Sequence, residues 1–315
     1  MAVMTRHADA EVDAAGRAPA PTASRRWAPA QVAVGLAVAV GAGVFAYPAT
    51  AAWITDLAHT ATVSGYVDSV QAQGDAERAA LLEAARHYND GLPYGPLRDP
   101  YILNARGGAD DVEAGRADYE SQLSTSADAP MARIRIAAID VDLPIYHGTS
   151  EDTLARGIGH LYGSGLPVGG TGTHAVLTGH SGFVGATLFS RLGELAIGDK
   201  FVVDVAGESL VYRVDRITTV LPDEGDALRR DPARDFVTLL TCTPTGVNSH
   251  RLLVRGERVT AEDEVTEQVA VAAGAGAVDI PWGSLAVLVA GCTVGVLIAR
   301  SRVPRAPARP AAPVS

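Results

Sequence analysis

Residues 238–256 read TLLTCTPTGVNSHRLLVRG. An apolar run delivers Cys242 to a Thr-Pro-Thr-Gly turn, and a second such run resumes at His250 and carries Arg251. Short stretches rich in Val, Leu and Thr and bounded by Pro or Gly predict strands, here two joined by a turn. The same texture extends outward through MARIRIAAID from Met131, VDLPIYHG, HAVLTGH, KFVVDVAG, SLVYRVDRITTV and DFVTLLTC. Many short strands at close spacing predict an all-β sandwich or barrel over 131–260, with short helical inserts at 151–156 and 186–192.

The flanks differ in character. Over 57–130 the pattern predicts a helical and loop-rich region: Val67, Val70, Leu81, Leu82 and Ala85 suit one helix face despite Gly74. Asn89-Asp90-Gly91 then stops the helix, and PYGPLRDPYILNARGG describes an irregular loop. A second short helix is expected from Asp118 to Leu123. Residues 1–31 and 300–315 are Ala-, Pro- and Arg-rich tails, and 261–279 reads as a linker.

No charged residue falls between Arg26 and Asp56 or between Asp279 and Arg300. The runs 32–54 and 280–299 are each long enough to cross a bilayer, which takes about 20 apolar residues. Arg25 and Arg26 precede the first, and Arg300, Arg302 and Arg305 follow the second. The positive-inside rule puts both tails in the cytoplasm and 56–279 outside a cell membrane that the chain spans twice. A secretory signal peptide, with Ala49-Thr50-Ala51 as its cleavage site, is a second reading of the first run, and the second run then remains as the anchor. The chain carries a formal charge of −10 and has no basic stripe, which argues against nucleic acid as a partner.

Of 315 residues only two are cysteines, Cys242 and Cys292, so a disulfide scaffold is excluded. Cys292 reads as a small apolar residue of the second run. Cys242, where an apolar strand gives way to a turn, is either inert or a nucleophile. A nucleophilic thiol needs a proton partner and a cation for its thiolate or for an oxyanion. His180, between Gly179 and Ser181-Gly182 after a strand, and Arg251, nine residues past Cys242, supply the two types. His147, His160 and His174 lie near strand ends and read as structural.

Thr238-Leu239-Leu240-Thr241-Cys242 followed by Arg251 resembles the sortase signature. LPIYHGTSEDTLARGIGHLYGSGLPVGG, HAVLTGHSG, LVYRVDRITTVLP and NSHRLLVRGERV resemble class C, pilus-building sortases, and the likeness covers roughly 116–260. It implies a mainly β fold: a closed barrel of about eight strands with short helices, an N-terminal helical and lid region, and two flanking transmembrane helices. It also implies a cysteine transpeptidase. Cys242 attacks the threonine carbonyl of an LPxTG-type signal, His180 protonates the leaving amine, and Arg251 steadies the oxyanion. Asp99-Pro100-Tyr101 matches the lid tripeptide of class C, in which the aspartate pairs with the arginine and the aromatic ring covers the cysteine.

Thr241, Thr243, Thr245 and His250 are candidate groove residues, and Thr245 stands where the family usually has tyrosine. Ser181 stands where it often has arginine, and Ala137-Ala138 replaces an Ile-Pro. The implied partners are LPxTG-bearing pilins or surface proteins, an amine acceptor (a pilin lysine or a cell-wall precursor) and the lipid bilayer. No metal and no organic cofactor is expected, since no paired-ligand spacing accompanies His180 and Cys242. Two other functions stay open: a housekeeping sortase attaching proteins to a cell-wall precursor, and a non-catalytic pilin-binding scaffold.

Overall fold

The computed structural model describes residues 29–92, 115–126, 128–182, 186–259 and 280–301. The N-terminal tail through residue 28, the loop 93–114, the linker 261–279 and the tail from 302 lie outside the described residues.

Eight strands form a closed barrel: β1 (Ala132–Ile136), β2 (Val141–His147), β3 (Ile158–His160), β4 (His174–Thr178), β5 (Lys200–Val205), β6 (Glu208–Val220), β7 (Phe236–Thr243) and β8 (His250–Arg258). Their order around the barrel is β1-β2-β3-β4-β7-β8-β6-β5. Neighbours pair antiparallel except β2 with β3 and β4 with β7, which run parallel. A parallel pair needs a crossover rather than a tight turn. One crossover contains a short helix at the expected place, and the other is the long excursion through β5 and β6.

Beyond the seven predicted strands, β3 adds a three-residue eighth, Ile158-Gly159-His160, buried at every position. It is too short to show alternation and carries no sequence signal. The helix expected at 186–192 does not form. Leu188 takes a left-handed φ of 39°, the Phe189 amide turns back to the His180 carbonyl at 3.1 Å, and only a 3-10 turn, Leu192–Glu194, follows.

Five α-helices complete the described chain: α1 (Pro29–Ala72), α2 (Asp75–Asp90), α3 (Arg116–Ser121), α4 (Glu151–Arg156) and α5 (Trp282–Arg300). The first apolar run and the segment through Val70 are one 44-residue helix, with Pro48 inside it. Gly74, extended at φ −70° and ψ 156°, separates α1 from α2. Helices α1 and α5 each contain an apolar stretch long enough to cross a membrane, with mean hydropathies of 1.9 and 2.1 over that stretch.

The chain divides into two compact units. In one, which takes α1 as far as Gly43 and α5 from Leu288, glycines meet backbone to backbone. A Cβ on Gly35 would fall 2.4 Å from the Gly295 carbonyl oxygen, and one on Gly295 would fall 2.5 Å from that of Gly35. Ala42 opposes Gly291 in the same way, so the two stretches run antiparallel, and the Gln31 side-chain amide donates to the Ser301 hydroxyl at 3.2 Å. Small residues permit this approach between apolar helices.

The other unit is the barrel with its attached helices. Its core includes Ile134, Ile136, Ile145, Leu177, Phe189, Phe201 and Leu239, each buried completely. The C-terminal part of α1 is fixed by Tyr66, whose hydroxyl donates to the Met131 carbonyl and accepts from the Ala206 amide. Asn89 near the end of α2 exchanges two bonds with the Leu166 backbone, and Arg230 donates to the carbonyls of Asn89, Leu92 and Gly172. A cation on the last carbonyls of a helix also complements its dipole.

Two buried histidines lock the barrel in a neutral state. His160 Nε2 lies 2.8 Å from the Gly165 carbonyl and Nδ1 lies 2.9 Å from the Tyr119 hydroxyl, so Nε2 donates and Nδ1 accepts. His174 Nδ1 donates to the Arg229 carbonyl, and its Nε2 accepts from the Thr238 hydroxyl. Burial pulls both imidazoles down to about 4. Burial also pushes the Asp235 carboxyl up to about 6.

The signs oppose each other. Each histidine contributes fully above its unfolded pKa of about 6.5, and that contribution is lost as pH falls toward 4, on the order of 3 kcal/mol apiece. Asp235 destabilises the fold above pH 6 and regains a similar amount on acidification to about pH 4. The unfolding free energy of the detergent-solubilised chain should therefore drop by on the order of 3 kcal/mol between pH 6.5 and pH 4. Thermal unfolding at a series of pH values checks this, and a flat or rising curve would contradict the neutral, buried histidines.

Candidate functional site

The parallel register of β4 with β7 sets the site. Thr178 pairs with Leu240 at the end of β4, and the Gly179 amide donates to the Leu240 carbonyl at 3.1 Å. Two residues further along each chain come His180 and Cys242, which the register brings level. Across the antiparallel β7–β8 ladder, Cys242 pairs with Arg251. Directly opposed residues of an antiparallel pair share a face. His180, Cys242 and Arg251 therefore stand in one row at one rim of the barrel, on the loop after β4, on β7 and on β8.

Two side chains rivet this row. The Thr241 hydroxyl donates to the Gly179 carbonyl at 2.7 Å, and the Ser181 hydroxyl donates to the Cys242 carbonyl at 2.6 Å. Both bonds join the same two segments, at Gly179 and Ser181 on either side of His180 and at Thr241 and Cys242 on β7. Gly182 follows at φ +70°, and a Cβ there would fall 2.3 Å from Thr245 Cγ2, so the loop after β4 lies directly against the β7–β8 turn.

Cys242 and Arg251 are each 7% exposed, and the His180 side chain is 17% exposed. Such a thiol is screened from bulk water yet opens on the rim. The Arg251 guanidinium donates through Nη1 to the carbonyls of Asn248 at 3.0 Å and His250 at 3.2 Å. Those carbonyls belong to the turn shaped by Gly246 and Asn248, which take φ values of 81° and 57°. A buried cation needs such partners, because an unsatisfied one costs several kcal/mol. Beside Arg251 runs a shallow apolar groove lined by Val220, Leu221, Leu228, Leu240 and Leu253.

The other predicted groove residues fall around the row. Thr241 is buried and its hydroxyl is occupied by Gly179; Thr243 is half-buried; Thr245 is exposed on the turn; His250 is half-buried with Nδ1 2.9 Å from the Ser249 hydroxyl. His147, His160 and His174 sit away from the row in hydrogen bonds to backbone carbonyls. Asp99, Pro100 and Tyr101 lie outside the described residues. Among the described residues no group of three or more His, Cys, Asp or Glu is gathered as metal ligands.

Sequence reading did not single out two contacts. One is Ser181, read only as a departure from arginine. The other is Glu151 at the start of α4, whose Oε1 lies 3.4 Å from His180 Nε2. Glu151 has no spacing signal, since 29 positions and a change of strand separate it from the histidine.

A model of the sortase domain matches residues 134–259. Sortase A of Bacillus anthracis is 29% identical over 154 residues, covering 47% of this chain and 71% of that protein. Among solved structures, sortase C-1 from Actinomyces oris is 48% identical with a TM-score of 0.54, over 59% of this chain and 99% of that one. Sortase C1 of Streptococcus agalactiae is 37% identical with a TM-score of 0.57, over 66% and 98% of the two chains.

Removing either rivet should cost about 1 kcal/mol of unfolding free energy, the net value of one hydrogen bond. Ser181→Ala and Thr241→Val are the variants, measured by denaturant unfolding. The double variant should lose more than the sum, because each bond holds the segments the other joins.

Proposed function

Because the chain belongs to the sortase family of cysteine transpeptidases, with class C enzymes among its solved neighbours, we propose that it polymerises pilins at the cell surface. The substrate is an LPxTG-type sorting signal. The observation that carries this reading is the row His180, Cys242, Arg251 across adjacent segments of one barrel rim.

Each member has a separate task. Cys242 Sγ, as thiolate, attacks the threonine carbonyl carbon, and its proton rests on His180. The developing oxyanion takes a hydrogen bond from the Arg251 guanidinium, a fixed cation in a site of low exposure. The threonine–glycine bond breaks as His180 returns the proton to the leaving glycine nitrogen, which leaves a thioester on Cys242. An amine, the side chain of a pilin lysine, then attacks that thioester. Its proton passes to His180, an isopeptide bond forms, and the thiolate is regenerated.

The apolar side chains beside Arg251 offer contact surface for the leucine and proline of such a signal, next to the Glu224 carboxylate. Helices α1 and α5 support attachment to the cell membrane, and the arginines at their outer ends support both tails lying in the cytoplasm with the barrel outside.

Cys242→Ala in the producing cell should abolish SDS-resistant pilin ladders, and ladders that persist would overturn the reading. Arg251→Ala should lower cleavage of a sorting-signal peptide by about 100-fold or more, as loss of an oxyanion partner does elsewhere. Mass spectrometry of the product would show a threonine-to-lysine isopeptide; a threonine joined to a cell-wall precursor amine would instead support the housekeeping role. Reporter fusions to both termini should be active only as cytoplasmic reporters.

A further inference from the structure

We propose that Glu151 is a positioning residue for His180, a carboxylate that steadies the imidazolium whenever His180 carries the proton of the reaction. The inference rests on the transpeptidase reading for its purpose and on geometry for its existence.

The carboxylate oxygen lies 3.4 Å from Nε2, within ion-pair range. Its backbone is firmly held. Ser150 caps α4 by accepting from the Thr153 amide, Leu154 is completely buried, and Arg156 donates to the Asp128 carbonyl at 2.9 Å while packing 4.5 Å over the Tyr146 ring. The crossover carrying α4 is pinned at both ends. A Cβ on Gly159 would fall 2.4 Å from the Gly148 carbonyl oxygen, a closeness that only glycine permits. The helix thus offers its first residue to the rim at a fixed place.

The other ionisable groups of the row are Cys242 on β7 and Arg251 on β8, with His250 beside Arg251 on β8 and exposed Asp152 beside Glu151 on α4. Arg251 favours the thiolate and opposes a positive His180. Among the described residues, Glu151 opposes Arg251 in this respect. Twice in each turnover His180 holds a proton, first from the thiol and then from the acceptor amine, and both times the neighbouring carboxylate lowers the energy of the charged ring. In serine hydrolases a third group orients and stabilises the imidazolium in the same manner. The Glu151 side chain is 75% exposed, so solvent screens the interaction and its effect is moderate.

Glu151→Gln keeps the shape and removes the charge, and Glu151→Asp keeps the charge. Histidine-selective NMR on the full chain in detergent micelles, with His180 assigned through His180→Gln, reads the ring directly. At one fixed pH, Glu151→Gln should move the His180 ring resonances, and Glu151→Asp should restore part of the wild-type position. With a sorting-signal peptide, Glu151→Gln should lower kcat by about threefold to tenfold with KM unchanged. Unmoved ring resonances overturn the proposal, as do moved resonances with an unchanged kcat. If the wild-type chain cleaves no sorting signal, the transpeptidase reading fails, and with it Glu151's catalytic purpose, while the NMR comparison still decides the contact itself.

Discussion

Parallel pairing of β4 with β7 is the constraint from which the site follows. Parallel strands leave their ladder at the same rim, so the residues just beyond Thr178 and those at the end of β7 emerge side by side. β8, antiparallel to β7, begins at that rim and contributes Arg251 beside Cys242. A slip of one residue in the β4–β7 register would part His180 from Cys242 and exchange the two faces on which β4 packs, Ala175 and Leu177 on one and Val176 on the other. Complete burial of Ala175, Val176 and Leu177 opposes such a slip, and the hydroxyls of Thr241 and Ser181 oppose it locally.

The same geometry sets the electrostatics. Strand pairing buries Arg251 beside a thiol, where the charge of a guanidinium acts through a lower effective dielectric than in water. The turn that returns β7 to β8 supplies the carbonyls of Asn248 and His250, so the guanidinium keeps hydrogen bonds in place of part of its lost hydration. A guanidinium held in this way favours an anion placed beside it. His180 sits on the more open side of the row, with its side chain 17% exposed.

What the sequence revealed depends on the range of the interaction. Seven of the barrel strands announce themselves through β-branched runs bounded by turn residues, and α4 appears within its predicted bounds because Ser150 and the acidic first turn mark its start. β3 is silent because three residues cannot alternate. The failed helix at 186–192 has helical composition, but the return of Phe189 to the His180 carbonyl overrides it, a tertiary preference invisible in local propensity. Cys242 and Arg251 were legible as a pair since they lie on adjacent strands nine residues apart. His180 stands out by its residue type and its place after a strand, but its position beside Cys242 is not legible, because the β4–β7 pairing joins segments about 60 residues apart. Glu151 was not legible at all, since its role depends on where a six-residue helix is seated.

The helices at either end of the chain bear on topology through two unrelated arguments. One is electrostatic: arginines flank the outer ends of both apolar runs, at Arg25 and Arg26 and at Arg300 and Arg302, and such ends stay on the side from which insertion proceeds. The other is steric. Gly291, Gly295 and Ala299 repeat at every fourth residue of α5, and Gly35 and Ala42 meet them in antiparallel order. Two antiparallel helices that each cross once must carry their outer ends on the same side. The bond between Gln31 and Ser301 joins those ends. Charge says nothing of packing and packing says nothing of charge, so their agreement supports both tails lying on one side more strongly than either does alone.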